Sequence, residues 1–252
     1  MNILRKINLN KIIKRSIVTD FKNLVELQEK SCLKHYNRPL FGTNLSNINW
    51  TTYEEWDKNI KIFRTILHNL DVNKGDKVAI IGNNKIEWAV SAYATYSLGS
   101  IFVPMYQTQR EIDWKYILKD SSSKVLICTD KNVYNKCKKY IYELKDLKDI
   151  VYLNNNYKDL YSNLKLSDVP KIKNVFEEKD SFNPNENDIA TIIYTSGTTG
   201  NPKGVELTHG NIVNNIKCIQ NSFSDFDRIS NEKDRSISFL PWAHCYGQTC
   251  EL

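Results

Sequence analysis

The sequence predicts an α/β fold, layered and rich in parallel sheet. Three observations predict it. Short apolar runs alternate with segments of helical period between residues 53 and 153, the rhythm of strand–helix–strand units joined by right-handed crossovers. The runs are largely apolar, as strands covered on both faces are. A further run at 188–194 opens into a loop crowded with glycine and hydroxyl residues, so a rigid strand delivers a flexible segment of backbone.

In chain order, residues 20–36 read as a helix, with Phe21, Leu24, Val25 and Leu27 leading to Cys32. Residues 53–70 read as an amphipathic helix, because Trp56, Ile60, Phe63 and Leu67 recur at spacings of three and four. Residues 73–76 make a turn before a buried strand at 77–82. Residues 86–98 are a mostly apolar helix, covered on several sides. Strand 100–103, helix 111–119, strand 124–128, helix 134–143 and strand 149–153 continue the alternation. Residues 154–187, rich in Asn and charge and carrying Pro170 and Pro184, read as a surface connector. Beyond it lie strands at 188–194 and 205–208, a helix at 211–223 capped by Thr208, and a strand at 236–240 that Pro241 ends. The division expected is a basic leader at 1–19, a first α/β subdomain at 20–153, the connector at 154–187, and a phosphate-loop segment at 188–252. Gly82, Asn83 and Asn84 lie between strand and helix, but a dinucleotide fingerprint needs three glycines, so a structural turn is the reading.

Residues 194–204, Tyr-Thr-Ser-Gly-Thr-Thr-Gly-Asn-Pro-Lys-Gly, carry most of the functional information. Glycine lets backbone N–H groups turn inward, and successive inward N–H groups make a concavity for anions. The hydroxyls of Thr195, Ser196, Thr198 and Thr199 add donors that follow phosphate oxygens, and Lys203 adds a mobile positive charge. The Walker loop is excluded, since it needs a helix straight after its Lys-Ser/Thr pair. Here Gly204 follows Lys203, and residues 205–208 alternate as a strand. A plain hairpin turn would not require eleven residues this specific in type.

The run resembles the phosphate loop of the adenylate-forming, AMP-binding enzymes. Three weaker segments agree with it in family order: Trp50-Thr-Thr-Tyr-Glu-Glu-Trp56, Leu98-Gly-Ser-Ile-Phe-Val-Pro-Met-Tyr106 and Phe239-Leu-Pro-Trp-Ala-His-Cys-Tyr-Gly247. Together they cover roughly residues 48–252. Ile86-Glu-Trp88 and the Leu-Pro-Trp-Ala-His form look most like long-chain fatty acyl-CoA synthetases. The resemblance implies the layered N-terminal domain of that family. It implies attack of a carboxylate on the α-phosphate of ATP, giving acyl-AMP and pyrophosphate, then displacement of AMP by the CoA thiol.

By the same resemblance, Thr195, Ser196, Gly197, Thr198, Thr199, Gly200 and Lys203 wrap the β- and γ-phosphates, with Thr195 near a Mg2+ ion. His244 lies by the carboxylate and α-phosphate as the catalytic side chain, and Trp242 and Tyr246 line the acyl pocket. Partners are then a fatty acid, ATP and CoA. Aryl- and amino-acid-activating enzymes use the same loop, and a non-catalytic nucleotide-binding fragment or partner subunit is the alternative of a different class. Family members are about twice as long, and their adenine, ribose, hinge and C-terminal segments are missing. The expectation is an N-terminal part, inactive alone.

Charge bounds the partners. Of the net +6, five positive charges lie in residues 1–19, which hold no acid, and the other 30 basic and 29 acidic residues nearly cancel. The folded part has no electrostatic footprint for nucleic acid. No stretch reaches the eighteen apolar residues of a membrane span. The leader fits a mitochondrial presequence; a basic tail on a cytoplasmic protein and a peripheral contact with membrane remain open. Six cysteines without close pairs read as free thiols. His244 and Cys245 are poorly placed as a catalytic pair, because adjacent residues on extended backbone point to opposite sides.

Overall fold

The structure, a computed structural model, describes residues 18–44, 47–154, 179–195, 200–222 and 235–251. The leader through residue 17, Ser196, Gly197, Thr198, Thr199, residues 155–178 of the connector, Phe223 and Leu252 lie outside the described residues.

Strands β3 (Lys77–Ile81), β4 (Ile101–Met105), β5 (Val125–Cys128), β6 (Asp149–Tyr152), β7 (Ile189–Thr195) and β8 (Lys203–Thr208) form one sheet in the order β6-β5-β3-β4-β7-β8. All neighbours are parallel except β7 and β8, which are antiparallel and place β8 at an edge. The sheet is covered on both sides, and strand periodicity splits the core in two. Val78, Ile80, Phe102, Val125 and Ile127 join the cluster containing Trp56, Ile60, Phe63 and Trp88. Ala79, Ile81, Val103, Met105, Leu126 and Cys128 join the other, with Trp114, Ile117 and Leu118. Helices α1 (Leu24–His35), α2 (Tyr53–Asn69) and α3 (Ile86–Tyr96) lie on the first face. Helices α4 (Glu111–Asp120), α5 (Lys131–Cys137) and α6 (Tyr140–Glu143) lie on the second.

Local chemistry explains the helix starts. Asn23 caps α1, its side chain accepting from the Glu26 N–H. Thr52 and Glu55 form a reciprocal capping box at α2. Thr208 and Asn211 do the same, Oγ1 accepting from the Asn211 N–H and Asn211 Oδ1 from the Thr208 N–H, at the start of α7 (His209–Ser222).

The structure departs from the sequence expectations in three places. Strands β1 (Pro39–Thr43) and β2 (Asn49–Thr52) form a small antiparallel sheet that was not anticipated. The single helix expected at 134–143 is two short ones: the Asp130 carboxylate caps Asn132 and Val133, starting α5 at Lys131, and α5 ends at Cys137. The strand expected at 236–240 makes no ladder among the described residues. Ser238, Phe239 and Leu240 bond to side chains instead, and Ile237 and Phe239 stand 75% and 76% exposed.

The described end of the connector is tied back to the helices. The Phe182 N–H donates to Ser97 O at 2.8 Å, and the Lys179 N–H to Thr65 Oγ1 at 3.1 Å. Because β7 pairs with β4, β7 and β8 share a sheet with β3, β4, β5 and β6.

Candidate active site

In an open parallel sheet, ligands bind beyond the carboxyl ends of the strands, where successive connections leave for opposite faces. That point falls here between β3 and β4. The chain leaves β3 for α3 on one face and β4 for α4 on the other. Three segments meet the resulting crevice: Gly82–Asn84 after β3, Tyr106 after β4, and residues 238–246. Asn84 Nδ2 donates to Leu240 O at 2.7 Å and to Ser238 Oγ at 3.3 Å, and Asn84 Oδ1 accepts from the Trp242 N–H at 2.9 Å. On the other side, burial and then the nearby Cys245 push the Tyr106 phenol above its ordinary pKa. The turn read at 82–84 is therefore a turn that also clasps the histidine segment.

His244 caps a short helix, α8 (Cys245–Cys250), and is exposed. Its Nδ1 accepts from the Tyr246 N–H at 3.2 Å, which leaves Nε2 to carry the proton and face outward. Cys245 Sγ lies 3.8 Å from Nδ1, a nitrogen already engaged, so the two do not make a nucleophile–base pair. The helix turns back so tightly that a Cβ on Gly247 would sit 2.4 Å from Pro241 O. Trp242 is buried against Trp88 at 5.8 Å and Phe41 at 6.0 Å between ring centroids, whereas Tyr246 is 58% exposed.

The segment that the sequence marks as a phosphate loop joins β7 to β8, which pair as a hairpin. Thr195 and Lys203 face each other across the ladder at its mouth, both exposed. Because β7 runs parallel to β4, Thr195 emerges at the same carboxyl end of the sheet as the crevice. Gly200 has φ +136 with open space around it, a backbone state that side chains resist. The hairpin is anchored beneath: the Tyr194 hydroxyl donates to Asp120 Oδ2 at 2.6 Å, and burial pushes that phenol's pKa upward. The structure brings Thr195, Gly200 and Lys203 to one hairpin; Ser196, Gly197, Thr198 and Thr199 lie outside the described residues. Neither the Tyr194–Asp120 anchor nor the Asn84 clasp was foreseen, and their partners lie 74 and up to 158 positions away in sequence.

Among the described residues no group of three or more His, Cys, Asp or Glu could hold a metal ion. Magnesium usually keeps its waters and binds through one or two protein ligands plus substrate phosphates. The exposed Thr195 hydroxyl is compatible with that. No described helix is long and apolar enough to cross a membrane. Cys32, Cys128 and Cys137 are buried thiols and Cys218, Cys245 and Cys250 exposed ones.

Comparison with known proteins agrees with this geometry. The sequence profile of the AMP-binding enzyme family matches residues 29–252. Long chain acyl-CoA synthetase 8 of Arabidopsis thaliana is 26% identical over 90% of this chain and 35% of its own length. The peroxisomal long chain acyl-CoA synthetase 7 of the same plant is 30% identical over 82% of this chain and 30% of its own length. The chain thus spans about a third of the relatives it matches. The solved complex of VinN with L-aspartate superposes with a TM-score of 0.72 at 19% identity, covering 91% of this chain and 54% of VinN. The profile match along nearly the whole chain, on a sheet whose carboxyl end presents both the β7–β8 hairpin and the histidine segment, shows that this chain belongs to the AMP-binding enzyme family.

Proposed function

We propose that a protein containing this chain activates a long-chain fatty acid with ATP and passes the acyl group to CoA. One observation carries the reading: the Thr195–Lys203 hairpin and the His244 segment open at the same carboxyl end of one sheet. A carboxylate attacking the α-phosphate brings an anion onto a polyanion, so the site must hold spread charge. In this reading Lys203 and the loop hydroxyls and amides at 195–200 hold the β- and γ-phosphates, steadying pyrophosphate as the Pα–O bond breaks. His244 Nε2–H donates to the acid or to an α-phosphate oxygen. Tyr246 offers the acyl chain an apolar wall on the open side, and Trp242 shapes that wall from within the core. Magnesium, arriving with the phosphates, would neutralise charge there, with Thr195 as this chain's contact. CoA then takes the acyl group from acyl-AMP by attack of its thiol, with AMP leaving.

The names of the relatives support a fatty acid. VinN, solved with L-aspartate, supports the second reading, an amino acid as the activated acid. The basic leader supports delivery to mitochondria. The test is acid-dependent exchange of labelled pyrophosphate into ATP, run with palmitate, benzoate and aspartate on a protein carrying this chain and the remaining family length. Exchange with palmitate alone, followed by palmitoyl-CoA on adding CoA, is the expected result. Exchange with aspartate alone replaces the substrate, and no exchange with any acid overturns the proposal. The 252-residue chain alone is expected to make no acyl-CoA, and measurable turnover would refute that part.

A further inference from the structure

Residues 238–242 form no ladder, yet two side chains from opposite directions bond to the Ser238 hydroxyl, the Phe239, Leu240 and Trp242 N–H groups and Leu240 O. From β3's side, Asn84 takes the Trp242 N–H and gives its own amide hydrogens to Leu240 O and Ser238 Oγ. From the far end of α8, the Glu251 carboxylate accepts from the Ser238 hydroxyl at 2.5 Å, the Leu240 N–H at 3.2 Å and the Phe239 N–H at 3.4 Å. The Ser238 oxygen also accepts from the Trp242 indole N–H at 3.1 Å. The hydroxyl therefore joins the two supports into one network, donating once and accepting twice, which is its full capacity. Burial raises the Glu251 pKa, but these bonds outweigh it and hold the carboxyl below its ordinary value. The segment ends at His244, whose own N–H donates to Pro241 O at 3.0 Å, so its position follows from that of 240–242.

We propose that Asn84 and Glu251 are positioning residues that fix the His244 segment across the crevice between β3 and β4. Neither side chain need touch a substrate. Asn84 transmits the position of the sheet to the segment, and Glu251 locks α8 back onto the start of the same segment. The consequence for catalysis rests on the acid-activating reading of His244; the structural content does not.

The experiment is backbone amide exchange on the 252-residue chain, comparing wild type with N84A, N84D and E251A. Losing a network hydrogen bond at such an amide should lower protection about fivefold, since each such bond contributes around 1 kcal/mol net. N84A should deprotect the Trp242 amide, and E251A, which removes the shared Oε1 acceptor, the Leu240 and Phe239 amides, while amides of β3 keep wild-type protection. N84D keeps the side-chain volume but places an oxygen against Leu240 O. Repulsion there should displace the segment and also lower protection, which separates hydrogen bonding from packing. Wild-type protection at these amides in N84A and E251A overturns the proposal, as does uniform loss throughout β3. In a protein that shows acid-dependent pyrophosphate exchange, N84A should lower kcat with little change in KM for ATP. A change confined to KM for ATP would overturn the positioning role. Absence of exchange in the wild type would sink the acid-activation reading instead, leaving amide exchange to decide the clasp.

Discussion

Acidification should loosen this protein through one imidazole. His209 is 1% exposed at the start of α7. Its Nδ1 accepts from the Leu24 N–H at 3.4 Å, its ring meets Tyr96 edge-on at 5.6 Å, and its backbone N–H donates to Asp188 O at 3.0 Å. Burial lowers its pKa from the ordinary 6.5 to about 4, with Asp188 opposing the shift. A base that stays neutral in the folded chain stabilises it fully above pH 6.5, where the unfolded chain is neutral too. As pH falls from 6.5 to 4 the unfolded state takes the proton first, and stability is lost at up to about 1.4 kcal/mol per pH unit. The loss attributable to His209 is about 2 kcal/mol at pH 5 and roughly 3 kcal/mol once both states are protonated. H209Q retains a side-chain acceptor and does not titrate. Urea unfolding of both proteins at pH 7, 6 and 5, followed by tryptophan fluorescence, isolates this residue from the carboxylates that titrate in the same range. The stability gap between the two should shift by about 2 kcal/mol in disfavour of wild type between pH 7 and pH 5. Parallel curves across that interval would refute the assignment of a buried neutral imidazole.

The remaining expectations concern the hairpin and the surface. K203A, in a protein active in pyrophosphate exchange, should raise the barrier by about 1–3 kcal/mol through loss of a charged phosphate contact; unchanged exchange would remove Lys203 from the phosphate site. G200V should cost about 1–3 kcal/mol of strain at φ +136, read as weakened nucleotide binding by titration calorimetry; unaltered affinity would mean that the loop tolerates another backbone path. The exposed pair Ile237 and Phe239, with the outer edge of β8, should promote self-association. The double variant I237K/F239K should lower light scattering without lowering the unfolding midpoint, and scattering equal to wild type would place the sticky surface elsewhere.

Much of the architecture was legible because the strands are buried on both faces. Residues 78–81 and 125–128 are apolar without interruption, and 189–194 are broken only by Thr191; such runs leave few alternatives in an α/β chain. Helix α2 was legible for another reason, its apolar stripe at spacings of three and four. The strand at 236–240 was misread because Ser236-Ile-Ser-Phe-Leu240 carries a strand's alternation, while pairing depends on a neighbour that local pattern cannot supply. The small β1–β2 sheet failed in the opposite sense. Its residues are mostly exposed, so no periodic burial marks them. The phosphate hairpin was visible as a run of residue types, and His244 as part of an ordered set of motifs. What holds them was not visible: Asn84, Asp120 and Glu251 are ordinary polar residues until folding brings distant backbone to them.

The stitching of the N-terminal helix has a consequence for how the chain is made. Asn23 Nδ2 donates to Asn183 Oδ1 at 2.6 Å and to Pro184 O at 2.9 Å, separations of 160 and 161 residues, and the Leu24–His209 bond spans 185. At ribosomal speeds of about 5–20 residues per second, α1 emerges roughly 10–40 s before those partners exist. During that interval α1 can pack only on α2 and α3, whose core side chains it shares. The ties at Asn23 and Leu24 close last, so the start of this helix is a seam that waits for the far end of the chain.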